Sequence, residues 1–243
     1  MAISTTFTSR LKEKEPLAEG TMGFYFEKPA GFQFKAGQYL DITLVNPPET
    51  DAEGNIRSLS IASAPEDEHL LVATRMRDTA FKRVLRMASF DLEVKMEGPM
   101  GSFTLHNNAT KPAVFLAGGI GITPFSSILR HAARARLPHH LYLFYSNRRP
   151  EDAAFMNILN ALEKENPNFK FIPSMSEMNK SAQKWTGETG FINREMLSRH
   201  LPSLQGPTYY MAGPPAMVAA MREMLITAGV DEDDLRTEEF AGY

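Results

Sequence analysis

The chain has 243 residues, 43% of them hydrophobic and 23% charged, with a formal net charge of −3 at pH 7. That is the makeup of an ordinary globular protein with enough apolar residues for a core, in one large domain or two small ones, and it gives no argument for nucleic-acid binding. Cysteine is absent, which excludes disulfides, thiolate zinc sites, cysteine nucleophiles and cysteine-ligated iron–sulfur clusters from this chain. The start, MAISTTFTSR, lacks the long apolar segment of a signal peptide, and no stretch reaches the roughly 18 apolar residues of a membrane span, so the cytoplasm is the expected location.

Residues 1–107 read as β structure. An aromatic run at 24–26 and an alternating stretch at 38–45 (Tyr39, Leu40, Ile42, Leu44) precede strand-like runs at 57–62, 70–76 and 92–96, with turn residues between. Residues 46–55, NPPETDAEGN, read as a polar loop. One helix interrupts at 79–87, where Phe81, Val84 and Leu85 are spaced for a core face. Several short strands at this spacing predict a small antiparallel barrel. Residues 108–112, NNATK, read as a linker. From 113 onward, strands at 113–117, 141–145, 169–172, 208–212 and 235–240 alternate with helices at 124–135, 151–164, 193–199 and 215–228. Alternation of this kind predicts a parallel sheet with helices on both faces. The expected organisation is two domains: an antiparallel β-barrel over 1–107, and an α/β parallel-sheet domain over 113–243.

The stretch 113–129, AVFLAGGIGITPFSSIL, stands out. An apolar strand runs into Gly118, Gly119 and Gly121, which permit a tight turn and close backbone approach to a ligand. Thr123 reads as a helix N-cap and Pro124 as the first helical residue. Free N–H groups and the dipole at such a helix start favour a phosphate. Gly119 and Gly121 fit the G-x-G-x-x-G dinucleotide fingerprint, but Pro124 stands at its third glycine. The form G-G-x-G-x-T-P resembles the pyridine-nucleotide loop of the ferredoxin–NADP reductase family.

Four further segments match that family in order. Arg57-Ser58-Leu59-Ser60 resembles its flavin motif, Arg-x-Tyr-Ser/Thr. The resemblance implies that Arg57 pairs with the phosphate of FAD, that Leu59 covers the flavin ring where the family has tyrosine, and that the Ser60 hydroxyl bonds near flavin N5. Thr74-Arg75-Met76 and the basic segment to Arg86 correspond to the loop and helix start that hold the FAD pyrophosphate, with Lys82 about where the family has a serine. Taken alone, Arg83 and Arg86 equally read as a solvated helix face, or as charge for an acidic protein partner. The segment 98–103, GPMGSF, matches the one that closes the family's barrel. The turn 211–217, MAGPPAM, places Gly213, Pro214 and Met217 at the nicotinamide pocket and Ala212 where the family has cysteine.

After the second sheet strand, no acid occurs before Glu151, whereas Ser146 and Arg148 could hold a 2′-phosphate. This leans towards NADPH over NADH; an exposed turn is the plainer alternative. Family members commonly end with an aromatic against the flavin ring, which gives that role to Tyr243 or Phe240. The six histidines show no spacing with carboxylates that suggests a metal site. The resemblance implies an FAD-dependent NAD(P)H oxidoreductase that passes a hydride to the flavin and electrons on to a separate acceptor, ferredoxin or flavodoxin. A free-flavin or quinone reductase, and a non-catalytic cofactor-binding regulatory subunit, remain open beside it.

Overall fold

The structure is a computed structural model in which residues 4–240 are described. The N-terminal sheet holds β1 (Thr5–Ala18), β2 (Thr21–Glu27), β3 (Tyr39–Leu44), β4 (Ile56–Ser60), β5 (His69–Arg75) and β6 (Glu93–Met100), in the order β4-β3-β6-β1-β2-β5. Every pairing in it is antiparallel. An antiparallel bridge between Ile61 and Val72, with the Ala62 N–H donating to the Leu71 carbonyl at 2.7 Å, closes the sheet into a barrel. Closure removes the exposed edges that would otherwise invite pairing with other chains. Along β3 the expected alternation holds: Leu40, Ile42 and Leu44 point inward, against Phe24, Phe26, Val94 and Met96.

The sequence pattern marks no strand at β1. Only Ser9 and Leu11 are buried along its 14 residues, so its apolar signal is weak. It is a strand because it pairs on both sides, with β2 and β6. The barrel's helix, α1 (Ala80–Met87), lies where expected. The Thr79 side chain accepts the Lys82 N–H at its start, and Phe81, Val84 and Leu85 are buried.

The second sheet holds β7 (Ala113–Gly118), β8 (Leu141–Asn147), β9 (Phe169–Met175), β10 (Glu188–Thr189), β11 (Thr208–Gly213) and β12 (Leu235–Glu239), in the order β10-β9-β8-β7-β11-β12 and parallel throughout. Between its strands run α2 (Ile122–Arg134), α3 (Met156–Glu165), α4 (Arg194–His200) and α5 (Pro215–Thr227). Two boundaries differ from the sequence reading. Helix α2 starts at Ile122, because a 3-10 turn over Gly119–Gly121 runs straight into it. Thr123 is therefore not the N-cap; its hydroxyl donates to the Ile120 carbonyl at 3.0 Å. The helix expected from 151 starts at Met156. Arg149 holds Asp152 by two bonds, at 3.0 and 2.9 Å, which fixes Pro150–Asp152 as a separate 3-10 turn.

Chain order reverses between β7 and β11, and ligands of such sheets bind outside the strand ends at that reversal. Helix α2 ties the barrel to this place. The buried Ser126 hydroxyl donates to the Ala62 carbonyl at 3.0 Å, and the buried Ser127 hydroxyl to the Ser63 carbonyl at 2.6 Å. Phe103, just after β6, packs on Phe125 and Tyr210 with ring centroids 5.6 Å apart in each case. No described helix is long and apolar enough to cross a membrane.

Ser127→Ala leaves a buried carbonyl without its donor. We expect it to lower the unfolding free energy by about 1–3 kcal/mol. Urea denaturation checks this: the midpoint should fall with an unchanged slope, and an unchanged midpoint would show that the bond does not hold the two sheets together.

Candidate functional site

Two glycine turns meet at the reversal point, one after β7 and one after β11. A Cβ on Gly121 would lie 2.3 Å from the Ala212 carbonyl oxygen and 2.7 Å from the Gly213 nitrogen. A Cβ on Gly118 would lie 2.3 Å from the Met217 sulfur. Gly121 was expected to admit a ligand; the neighbour that requires it is the protein's own second turn. Gly119 sits at φ 51°, in the left-handed region where glycine is unstrained. Gly213 and Pro124 shape the turns from behind: the Gly213 carbonyl accepts the Phe240 N–H at 3.0 Å, and Pro124 is buried in α2.

A cleft opens on the barrel side of these turns. Arg57, Ser58, Leu59 and Ser60 of β4 line it, with Thr74 and Arg75 of β5 and Lys82 of α1; Ile120, Thr123 and Phe240 close it from the other sheet. Met76 does not reach it. Its N–H donates to the Gly20 carbonyl at 2.7 Å and its side chain packs on the barrel core. Ser60 and Phe240 also border an adjoining hollow with Tyr39, Glu238 and Glu239. Tyr243 lies outside the described residues.

The charge of this cleft is unbalanced. The Lys82 ammonium is half-buried, and burial, then the nearby Arg77 and Arg57, push its pKa below the ordinary value. It makes no ion pair among the described residues. Glu53 offsets part of this, yet three cations against one carboxylate in a partly dry cleft still favour a further anion. The cleft therefore suits a phosphate-bearing ligand, and the pyrophosphate of FAD fits that demand. Arg57 lies 5.1 Å over the Phe81 ring and gives bonds to the Glu53 carboxylate (2.9 Å) and the carbonyls of Glu53 (2.8 Å) and Ile56 (2.7 Å). Arg83 is engaged elsewhere, by Glu49 and Asp78, both at 2.6 Å.

A second cleft, of about 690 Å³, opens over the parallel sheet. Arg75 and Arg77 line it as well as the first, so they stand between the two. Gly118, Gly119, Ser146, Asn147, Arg148 and Ser176 form its polar wall, and Pro214, Met217 and the exposed Phe191 its apolar one. None of its described lining residues is acidic. Arg149, adjacent in sequence, is occupied by Asp152 and Glu19, each at 2.9 Å, and does not line it.

Two residues of interest were not evident in the sequence. Asn147 is buried, and its amide lies beside the Tyr145 hydroxyl without a hydrogen bond of normal geometry. Its place between Ser146 and Arg148 was the available signal. Glu238 has one carboxylate oxygen buried without a partner, and burial raises its pKa from 4.5 to about 7. The acid two places before Phe240 was the available signal there, but burial at a strand next to the terminus is set by the tertiary fold.

Comparison with known proteins fits this geometry. Residues 115–223 match the family described as the oxidoreductase NAD-binding domain. The chain is 31% identical to a component of the Na(+)-translocating NADH-quinone reductase of Methylococcus capsulatus, over 77% of this chain and 49% of that protein. It is 27% identical to the reductase component of propane 2-monooxygenase of Rhodococcus jostii, over 96% of this chain and 63% of that one. Against ferredoxin–NADP reductase B of Sorangium cellulosum it is 29% identical over 90% of both chains. The chain thus spans about half to two thirds of the first two relatives. A solved ferredoxin–NADP+ reductase from Neisseria gonorrhoeae, with bound FAD and NADP, has the same fold: TM-score 0.79 and 20% identity, over 96% of this chain and 98% of that one.

The raised pKa of Glu238 sets the sign of a pH effect. The folded state favours the protonated acid, so the buried carboxylate costs nothing below about pH 4.5 and costs progressively more as pH rises through about 7. Glu238→Gln should be more stable than the parent at pH 8, by at most about 3 kcal/mol, and equal to it near pH 4. Urea unfolding at the two pH values checks this, and a pH-independent difference would place the carboxylate in water.

Proposed function

We propose that the chain is a member of the ferredoxin–NADP reductase family, an FAD-dependent NAD(P)H oxidoreductase that passes electrons to a separate acceptor. The observation that carries this reading is the pair of cation-lined clefts that share Arg75 and Arg77 as their common wall. We assign residues 1–107 to flavin binding and 113–243 to dinucleotide binding, with 108–112 as the link. FAD, when bound, takes a hydride from the nicotinamide and releases electrons one at a time, which neither protein side chains nor NAD(P)H can do alone.

The residues' own tasks follow from their places. Lys82, Arg57, Arg75 and the flanking Thr74 hold the flavin's phosphates by charge-assisted bonds. Leu59 and Phe240 cover apolar ring surface and exclude water, and the Ser60 hydroxyl donates or accepts at the ring edge. Glu238 borders the same hollow as Ser60. With its pKa at about 7, it can hold or release a proton at working pH. Ser146 and Arg148 take a 2′-phosphate, Gly118 and Gly119 let the dinucleotide approach, and Pro214 and Met217 bound the nicotinamide end. The absence of acidic lining in this cleft favours NADPH over NADH.

Ferredoxin or flavodoxin is the acceptor we favour, because the Sorangium relative matched over most of both chains is a ferredoxin–NADP reductase. A monooxygenase is the second reading, because the Rhodococcus relative is the reductase component of one. Arg83, held by Glu49 and Asp78, is left out of docking.

The purified protein should show a flavin absorbance spectrum that bleaches under anaerobic NADPH. Bound flavin that stays oxidised would leave a non-catalytic subunit, and free flavin outperforming ferredoxin and flavodoxin would leave a flavin reductase. Lys82→Gln should weaken FAD binding about tenfold, the loss of one charge-assisted bond. Arg148→Ala should raise the KM for NADPH about tenfold and leave that for NADH nearly unchanged. Equal effects on both nucleotides would remove Arg148 from 2′-phosphate recognition.

A further inference from the structure

The loop between β3 and β4 holds carboxylates at every second position: Glu49, Asp51 and Glu53. Each is bonded to the helix or the arginine that flanks the flavin-side cleft. Glu49 takes Arg83 of α1 by bonds of 2.6 and 3.1 Å. Asp51 takes the backbone N–H of Ala80, the first residue of α1, at 2.5 Å. Glu53 lines the cleft and takes the Arg57 guanidinium at 2.9 Å. A helix N-terminus and a buried-side arginine are the donors a pyrophosphate needs, and here the chain's own carboxylates occupy them.

A diphosphate cannot join this arrangement. Its oxygens would have to share the same donors with two carboxylates at hydrogen-bond distance, where like charges repel strongly. The loop is built to move instead. Asp51 braces it internally, taking the Glu53 N–H at 3.0 Å, while Gly54 donates to the Asp51 carbonyl at 3.0 Å. Its ends are Asn46 at φ 44° and Gly54 at φ 72°, and Gly54 has open space around it. Lys82 is bonded to none of these carboxylates, so a phosphate has a foothold before the loop leaves.

We propose that the 46–55 loop is an internal counter-anion: it holds Arg57 and the first N–H of α1 in the flavin-free chain and surrenders them to the flavin's phosphates. The proposal rests on the FAD reading above. Its consequence is a flavin that is loosely held and exchangeable, because completing each binding event must displace the loop.

The test uses flavin-stripped full chain titrated with FAD, read by quenching of flavin fluorescence, alongside amide hydrogen exchange. The Asp51→Asn, Glu53→Gln double variant removes the charge while keeping hydrogen-bond acceptors for the helix start. It should bind FAD about tenfold more tightly and release it more slowly than the parent. In the parent, the amides of Glu53 and Gly54 should lose protection when FAD binds. If the parent binds FAD but those amides stay protected, or the double variant binds no tighter, the loop proposal is overturned and the FAD reading stands. If neither protein binds FAD, the FAD reading fails and the loop proposal with it. Should the double variant not fold, Glu53→Gln alone keeps the Asp51 cap and makes the same comparison.

Discussion

The close approach of two backbone turns governs this molecule. Gly121 rests on the Ala212 carbonyl so tightly that a single methyl group would collide with it at 2.3 Å. That approach lies where β7 and β11 are neighbours in the sheet, just before the starts of α2 and α5. Both clefts open there because the strand order reverses there. The phenylalanine-rich packing beneath, with Phe115 and Phe125 centroids 5.0 Å apart, gives the turns a rigid floor.

A second constraint is electrostatic. β4, the end of β5 with the residues after it, and α1 gather Arg57, Arg75, Arg77 and Lys82 around one concavity. Collecting like charges costs free energy in the chain by itself, and Lys82 is depressed first by burial and then by the neighbouring Arg77 and Arg57. The carboxylates of the 46–55 loop offset part of it at Arg57 and the helix start, while Lys82 stays without an ion-pair partner among the described residues. The arrangement is thus partly self-neutralised and partly poised, a balance that a polyanionic ligand can tip.

The fold was legible where punctuation and periodicity coincide. Glycine and proline after short apolar runs mark the ends of β7 and β11, and the β3 alternation marks the barrel wall. What was not legible depends on partners far away in sequence. β1 is polar enough to look like a loop and becomes a strand only between β2 and β6. The flavin-side residues at β4, β5 and α1 were found by their motif, yet their bonding was not: the 46–55 segment reads as a solvated loop until the fold brings Arg57, Ala80 and Arg83 against it. Gly121 was readable as a glycine that something must approach, but not that the something is Ala212.

Strand register also ties the second glycine turn to Glu238. Ala212 is paired directly with Glu238 on the adjacent parallel strand, so the two side chains lie on the same face of the sheet. Ala212 is fully buried at the end of β11. The raised pKa of Glu238, about 7, places a proton-exchanging group beside Ser60 and Phe240. A carboxylic acid is carried towards neutrality when its surroundings are dry, because burial disfavours the carboxylate.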